Sequence, residues 1–230
     1  MKRSEINAAI AEAEAAFAEA GWHLPLFAAW SLSDLPQDRA SISEMIGKHL
    51  GWDITDFGSG NYPEVGLCLF TLRNGSLNDL ADGGGKVYAE KLMYVGVGQV
   101  TPLHLHRLKQ EDIINRSGGR LEVQFRPSNN DESLGTTDVE LVVDAGPRTI
   151  AAGGSVLLGP GESVSIPARV YHTFWAVDAP CVVGEVSSVN DDETDNVFFE
   201  PVGRFPEIVE DEEPRYIIVG DHKSPGSVDA

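Results

Sequence analysis

The chain is expected to be mainly β, a sandwich or barrel of short strands preceded by a helical extension. From Val65 onward, short runs rich in Val, Leu, Ile and aromatic residues alternate with Gly, Pro, Asn and Asp, the pattern of many strands separated by turns. The segment before Gly21 instead repeats apolar side chains at helical spacing. A length of 230 residues suits one domain with a sizeable core, or a barrel with an appendage.

In the first segment Ile6, Ala9, Ile10, Ala13, Phe17 and Ala20 share a stripe, with Glu5, Glu12, Glu14 and Glu19 elsewhere around the wheel and Gly21 as the stop. The acidic outer face favours packing on the barrel or a partner subunit over a membrane. Ser41-Ile-Ser-Glu44 has capping-box spacing and precedes Met45, Ile46 and Leu50, which predicts a short second helix ending before Gly51. Strands are expected over 66–72, 86–97, 121–125, 139–143, 155–158, 162–166, 172–176 and 181–186, with a long loop at 127–137. Asp82-Gly-Gly-Gly85 lacks the following helix and the Lys-Ser/Thr ending of a phosphate cradle, so it reads as a hairpin loop. The expected division is a helical extension over 1–60, a barrel over 61–220 and a flexible tail over 221–230.

A net charge of −19 disfavours nucleic acid, which requires a basic stripe. It also disfavours phosphorylated substrates and fits a small neutral sugar. No apolar run is long enough to span a bilayer, and the N-terminus lacks a signal-peptide core, so a cytoplasmic protein without membrane association is expected. Cys68 and Cys181 show no pairing pattern and read as buried reduced thiols.

The chemistry is concentrated at His104-Leu-His106. Side chains two apart on a strand face the same way, so both imidazoles can reach one ion. Glu111 on the next strand and His172 on a distant one complete an N/O set suited to a divalent first-row metal. Four ligands on an octahedral ion leave two positions for substrate oxygens, the arrangement of a catalytic site. His23, His49 and His222 have no ligand spacing around them.

The flanks of these residues resemble the cupin motifs. G-x5-H-x-H-x3–4-E-x6-G is filled by Gly98, His104, His106, Glu111 and Gly118. G-x5-P-x-G-x2-H-x3-N is matched by Gly161, Pro167 and His172, with Arg169 and Ala176 replacing its second Gly and its Asn. The resemblance implies a double-stranded β-helix (jelly-roll) barrel. The N-terminal MKRSEIN, GWDITDFGSG (51–60), the run over 90–116 and EVSSVNDDETDNVF (185–198) further resemble the D-lyxose ketol-isomerase family, nearly to the end of the chain. That family resemblance implies a Mn2+-dependent, homodimeric aldose–ketose isomerase interconverting D-lyxose with D-xylulose and accepting D-mannose.

Proton transfer beside a carbonyl needs a cation for the developing enediolate and an acid/base pair. Chelation of O1 and O2 by the metal would give a cis-enediolate. Lys109, in the loop between His106 and Glu111, is one acid/base candidate, its pKa expected to be lowered by a nearby divalent charge. Glu185, at the end of an apolar strand, is the other. Asp191 and Asp195, with Glu200 behind them, are candidates for gripping sugar hydroxyls; Lys91, Tyr94 and Trp175 are candidates for lining the pocket. Three alternatives use the same ligands: a ferrous dioxygenase or decarboxylase, a phosphosugar isomerase clamped by Arg107, Arg116, Arg120 or Arg126, and a non-catalytic sugar-binding cupin.

Overall fold

A computed structural model describes residues 1–31, 35, 39–192, 194–204 and 207–223, the side chains of 39–41, 222 and 223 excepted. The expected cap at Ser41, the His222 side chain and the tail beyond 223 lie outside what is described. Helices are α1 (Arg3–Glu19), α2 (Arg39–Gly47) and α3 (Leu77–Ala81). The strands are β1 (Gly51–Thr55), β2 (Leu67–Arg73), β3 (Tyr88–Val95), β4 (Thr101–His106), β5 (Glu111–Gly118), β6 (Leu121–Pro127) and β7 (Val139–Val143). Then follow β8 (Gly146–Ile150), β9 (Ser155–Leu158), β10 (Ser163–Ile166), β11 (Val170–Ala176), β12 (Cys181–Ser188) and β13 (Asn196–Phe198). They make two antiparallel sheets, ordered β1-β2-β3-β12-β5-β10-β7-β8 and β13-β4-β11-β6-β9. Mainly β with an N-terminal helix, this is the expected fold class.

Period-two alternation builds the core between the sheets. On β6, Leu121, Val123 and Phe125 are fully buried while Glu122 and Gln124 are only half-buried. They belong to one cluster with Ile113, Val164, Ile166, Phe174 and Val183. At Gly118 φ is +96°, and a Cβ would stand 2.1 Å from the Pro180 carbonyl oxygen, so only glycine lets the β5–β6 turn pass this close to the chain entering β12.

A second cluster lies on the other side of β1–β3, where Ile6, Ile10 and Phe17 of α1 meet Trp52, Phe70 and Leu92. Phe17 stacks on Trp52 at 6.1 Å between ring centroids, and the Trp52 indole N–H donates to the Ala28 carbonyl oxygen at 2.9 Å. Covered on both faces, all five residues of β1 are buried. This strand lies within 1–60, so that stretch is not wholly a helical extension. The end of α1 follows the expectation: Trp22 N–H bonds Phe17 O, Gly21 N–H bonds Ala18 O, and Gly21 has φ +78°, a glycine-terminated helix end. α2 begins at Arg39, before the proposed cap at Ser41. The β2–β3 hairpin connection contains Asp82–Gly85 as expected, but it also carries α3.

The segment 207–221 laces onto the start of α1. Arg3, fully buried, pairs with Glu210 at 2.6 Å and Asp221 at 2.7 Å. Val209 exchanges backbone hydrogen bonds with Met1 and Arg3, and Ser4 Oγ donates to Asp211. Cys68 and Cys181 are buried free thiols, their pKa values pushed up by burial, that of Cys181 to about 11.

Phe125→Ala removes a fully buried ring between the sheets. It should destabilise the fold by ~3–5 kcal/mol, read as a lower urea midpoint at unchanged slope.

Candidate active site

His104, His106, Glu111 and His172 are all buried, and their ligand atoms lie within 4.8 Å of one another. His104 and His106 do share the inner face of β4. β11 lies beside β4 with His172 opposite His104, which brings the two imidazole centroids to 4.2 Å. The register shifts between His172 and Phe174 of β11, whose partners are His104 and Thr101. The extra residue in β4 lets Thr101 as well as His104 face inward. Backbone carbonyl oxygens fix two rings: His104 Nδ1 lies 2.8 Å from Pro102 O and His172 Nδ1 lies 3.1 Å from Val170 O. Each interaction orients the ring and presents Nε2 to the interior.

Between β4 and β5 the chain crosses from the small sheet to the large one. Asp195 holds this crossover: its carboxylate accepts the backbone N–H groups of Leu108 at 2.6 Å and Lys109 at 3.0 Å. Glu111 and Lys109 are thereby both directed inward. Arg169 adopts φ +66°, the left-handed conformation that the motif glycine would take. Its N–H bonds the His106 carbonyl at 2.7 Å and its carbonyl accepts from Ser128 Oγ at 2.6 Å, so the turn survives the replacement.

His106 Nε2, His172 Nε2 and Glu111 Oε1 are buried without a hydrogen-bond partner. His172 Nε2 lies 2.8 Å from Glu111 Oε1, but the pair is not aligned as a hydrogen bond. Unpartnered imidazole and carboxylate atoms converging on one point fit a divalent cation.

Beside them lies a chain of charges. Lys109 Nζ is 2.7 Å from Glu111 and 2.9 Å from Glu185. Lys91 Nζ is 3.2 Å from Glu185, its cross-strand partner on β12. The Asn190 side-chain oxygen accepts from both ammonium groups, at 2.8 Å from Lys91 and 3.2 Å from Lys109. Burial opposes the charge on Lys109, but the Glu111 and Glu185 carboxylates outweigh it and raise the pKa well above the lysine norm. The protein's own charges thus act against the lowering expected from a divalent cation. Burial also opposes ionisation of Glu111, yet Lys109 and the histidines hold its pKa well below the carboxylate norm. Burial, reinforced by His172, pushes the His104 imidazole down to about 3. Burial and the Lys109 ammonium hold His106 well below its usual value.

These groups line a cavity with apolar walls that include Leu69, Met93, Phe174 and Phe198. Of the substrate-contact candidates, Lys91 lines it. Tyr94 and Trp175 do not: each is three residues from an inward-facing residue, Lys91 or His172, and so has the opposite parity on its strand. Tyr94 packs on the α1 side. Asp191 accepts from Thr194 within a turn, Asp195 serves the crossover, and Glu200 is exposed. Sequence reading missed Asn190, Asp192, Asn196 and Arg204. The last three line the cavity but lie on loops and the short edge strand β13, where periodicity carries no signal.

A two-sheet barrel with an interior His/His/Glu/His cluster that could hold a metal ion, beside buried lysine and glutamate side chains, defines a cupin-type protein. The family profile described as D-lyxose isomerase matches residues 1–222. The chain is 42% identical over 226 residues to the D-lyxose/D-mannose isomerase of Escherichia coli O157:H7, covering 97% of this chain and 99% of that one. It is also 42% identical over 224 residues to the Serratia proteamaculans protein of the same name, covering 95% and 96%. The chain belongs to the D-lyxose isomerase family and is an isomerase. Among solved structures, Cellulomonas parahominis L-ribose isomerase with L-psicose shares the fold, with a TM-score of 0.61 at 17% identity over 91% of this chain and 98% of that one.

The shift at His104 fixes a pH dependence for the metal-free protein. Its folded-state pKa of about 3 lies below the unfolded value of 6.5, so the unfolded chain takes up the proton first as pH falls. Stability should be full above pH ~6.5 and decline towards pH ~3, with Glu111 adding a loss in the same direction at the acid end. Urea midpoints of chelator-treated protein across this range check it, and His104→Gln should flatten the slope.

Proposed function

We propose that this chain interconverts D-lyxose with D-xylulose, and D-mannose with D-fructose, by proton transfer, with Mn2+ held by His104, His106, Glu111 and His172. The carrying observation is that the unpartnered ligand cluster and the Lys91–Glu185–Lys109 chain share one cavity. A divalent cation in that cluster supplies positive charge beside the sugar's carbonyl and the adjacent hydroxyl.

The side chains do the rest. Glu185 takes the C2 hydrogen of the open-chain aldose as a proton and returns it to C1. Lys109, protonated, donates to the oxygen on C1 as that becomes a hydroxyl, then recovers a proton from the C2 hydroxyl as that becomes the ketone. Lys91 and Asn190 keep Glu185 and Lys109 in place, and the proton held on Glu185 exchanges with solvent. The family membership supports this reading over an oxidative cupin, which would consume O2. The electrostatics favour a neutral sugar over a phosphosugar: among the described residues Arg204 is the one guanidinium lining the cavity, and it is already paired with Asp53 and Asp192. Among the described residues no helix is long and apolar enough to cross a membrane. The homodimer is implied by family resemblance, with sedimentation velocity as the check on assembly, and the cytoplasmic location is the expectation drawn from the short apolar runs of the sequence.

Proton NMR of chelator-stripped protein with D-lyxose in D2O tests the reaction. D-xylulose should appear only after Mn2+ is added, with deuterium at C2 of recovered D-lyxose; conversion without deuterium would replace proton transfer by a hydride shift. Lys109→Ala and Glu185→Gln should each lower turnover by ~10²–10⁴-fold while bound metal, read by elemental analysis, persists. A wild-type rate in either variant removes that residue from the chemistry.

A further inference from the structure

The cavity has a second polar wall that the proton transfer does not use. Arg204 lines it, and its guanidinium is held by Asp53 of β1, with Nη2 at 2.5 Å from Oδ2 and Nη1 at 3.4 Å from Oδ1. Asp53 is itself buried and is not among the cavity-lining residues. The Arg204 backbone is tied down as well: its carbonyl accepts from Thr55 Oγ1 at 2.8 Å, and the preceding Gly203 N–H bonds the Phe57 carbonyl at 2.9 Å. On the cavity side, Asp192 lies 3.6 Å from Arg204 Nη2. Two further lining residues, Thr101 and Asn196, carry buried side-chain oxygens without hydrogen-bond partners.

We propose that Asp192 and Arg204, oriented by Asp53, form a subsite for a vicinal diol on the part of the sugar chain that does not react, with Thr101 and Asn196 completing it. The chemistry is complementary. A carboxylate only accepts and a guanidinium only donates, so one hydroxyl donates to Asp192 while its neighbour accepts from Arg204. Thr101 and Asn196 offer acceptor oxygens to the remaining hydroxyl protons. The two-point grip of Asp53 fixes the guanidinium plane, making Asp53 a positioning residue that acts through Arg204. A site of this kind discriminates by hydroxyl count, because a missing hydroxyl leaves buried polar groups unpaired.

The inference rests on the neutral-sugar reading above, but it can be tested without turnover. Calorimetry of the Mn2+-loaded protein would compare the alditol made by reducing D-lyxose with each of its monodeoxy analogues. Wild type should bind the parent alditol at least about 10-fold more tightly than one of the analogues. Asp192→Asn should weaken parent binding about 10-fold and show no preference over that analogue. Asp53→Asn should lower the thermal midpoint, because it takes one carboxylate from the largely buried Arg204 side chain. Well below that midpoint it should lose the same discrimination with metal content and binding of that analogue retained, a selective effect that a purely structural role would not produce. Absence of alditol binding by wild type, or discrimination unchanged in both variants, overturns the subsite. D-lyxose turnover by the same wild-type preparation reports separately on the substrate assignment.

Discussion

The rest of the structure is organised around the short pair between Lys109 and Glu185 inside the barrel. Charges removed from water are tolerated only when matched and hydrogen-bonded. Here Glu111, Lys109, Glu185 and Lys91 alternate in sign along one chain of contacts, and Asn190 accepts from both lysines. The alternation sets each buried charge beside one of opposite sign. It also leaves Glu111 Oε1 and two imidazole nitrogens without hydrogen-bond partners, the point in the interior where a cation can enter.

Positioning that chain depends on both sheets. Glu185 and Lys91 come from paired strands of the large sheet, and the histidines from paired strands of the small one. Lys109 and Glu111 come from the crossover joining the sheets, which Asp195 clamps through two backbone N–H groups. The clamp returns from beyond β12, so the chain's last barrel segment secures a turn made much earlier. Similar long-range closure operates outside the barrel. The 207–221 segment is anchored on Arg3 of α1, and α1 seals the face of β1–β3 opposite the cavity. Asp53 of the sealed strand β1 holds Arg204 at the cavity wall. The N-terminal helix therefore supports the site without touching it.

The sequence by itself determined the elements whose signal is local. The apolar stripe of α1 and its glycine stop follow from helical periodicity, the many strands from alternation and turn residues, and the shared face of His104 and His106 from their spacing of two. Glu111 and His172 were legible because their motif spacing is itself a record of strand and turn geometry. The tertiary structure decided what depends on pairing between distant segments. Whether Lys91 or Tyr94 faces inward is a matter of register, and their spacing of three excludes both from one face. Asp195 resembled a sugar ligand in a polar stretch, and only the crossover packed against it made it a backbone clamp. Asn190, Asp192 and Arg204 sit on segments without periodicity, so nothing local distinguishes them from solvated loop residues. Their roles arise when the closing sheets bring Asn190 to the lysines and Arg204 to Asp53, because a buried charge acquires its function from the partner that the fold supplies.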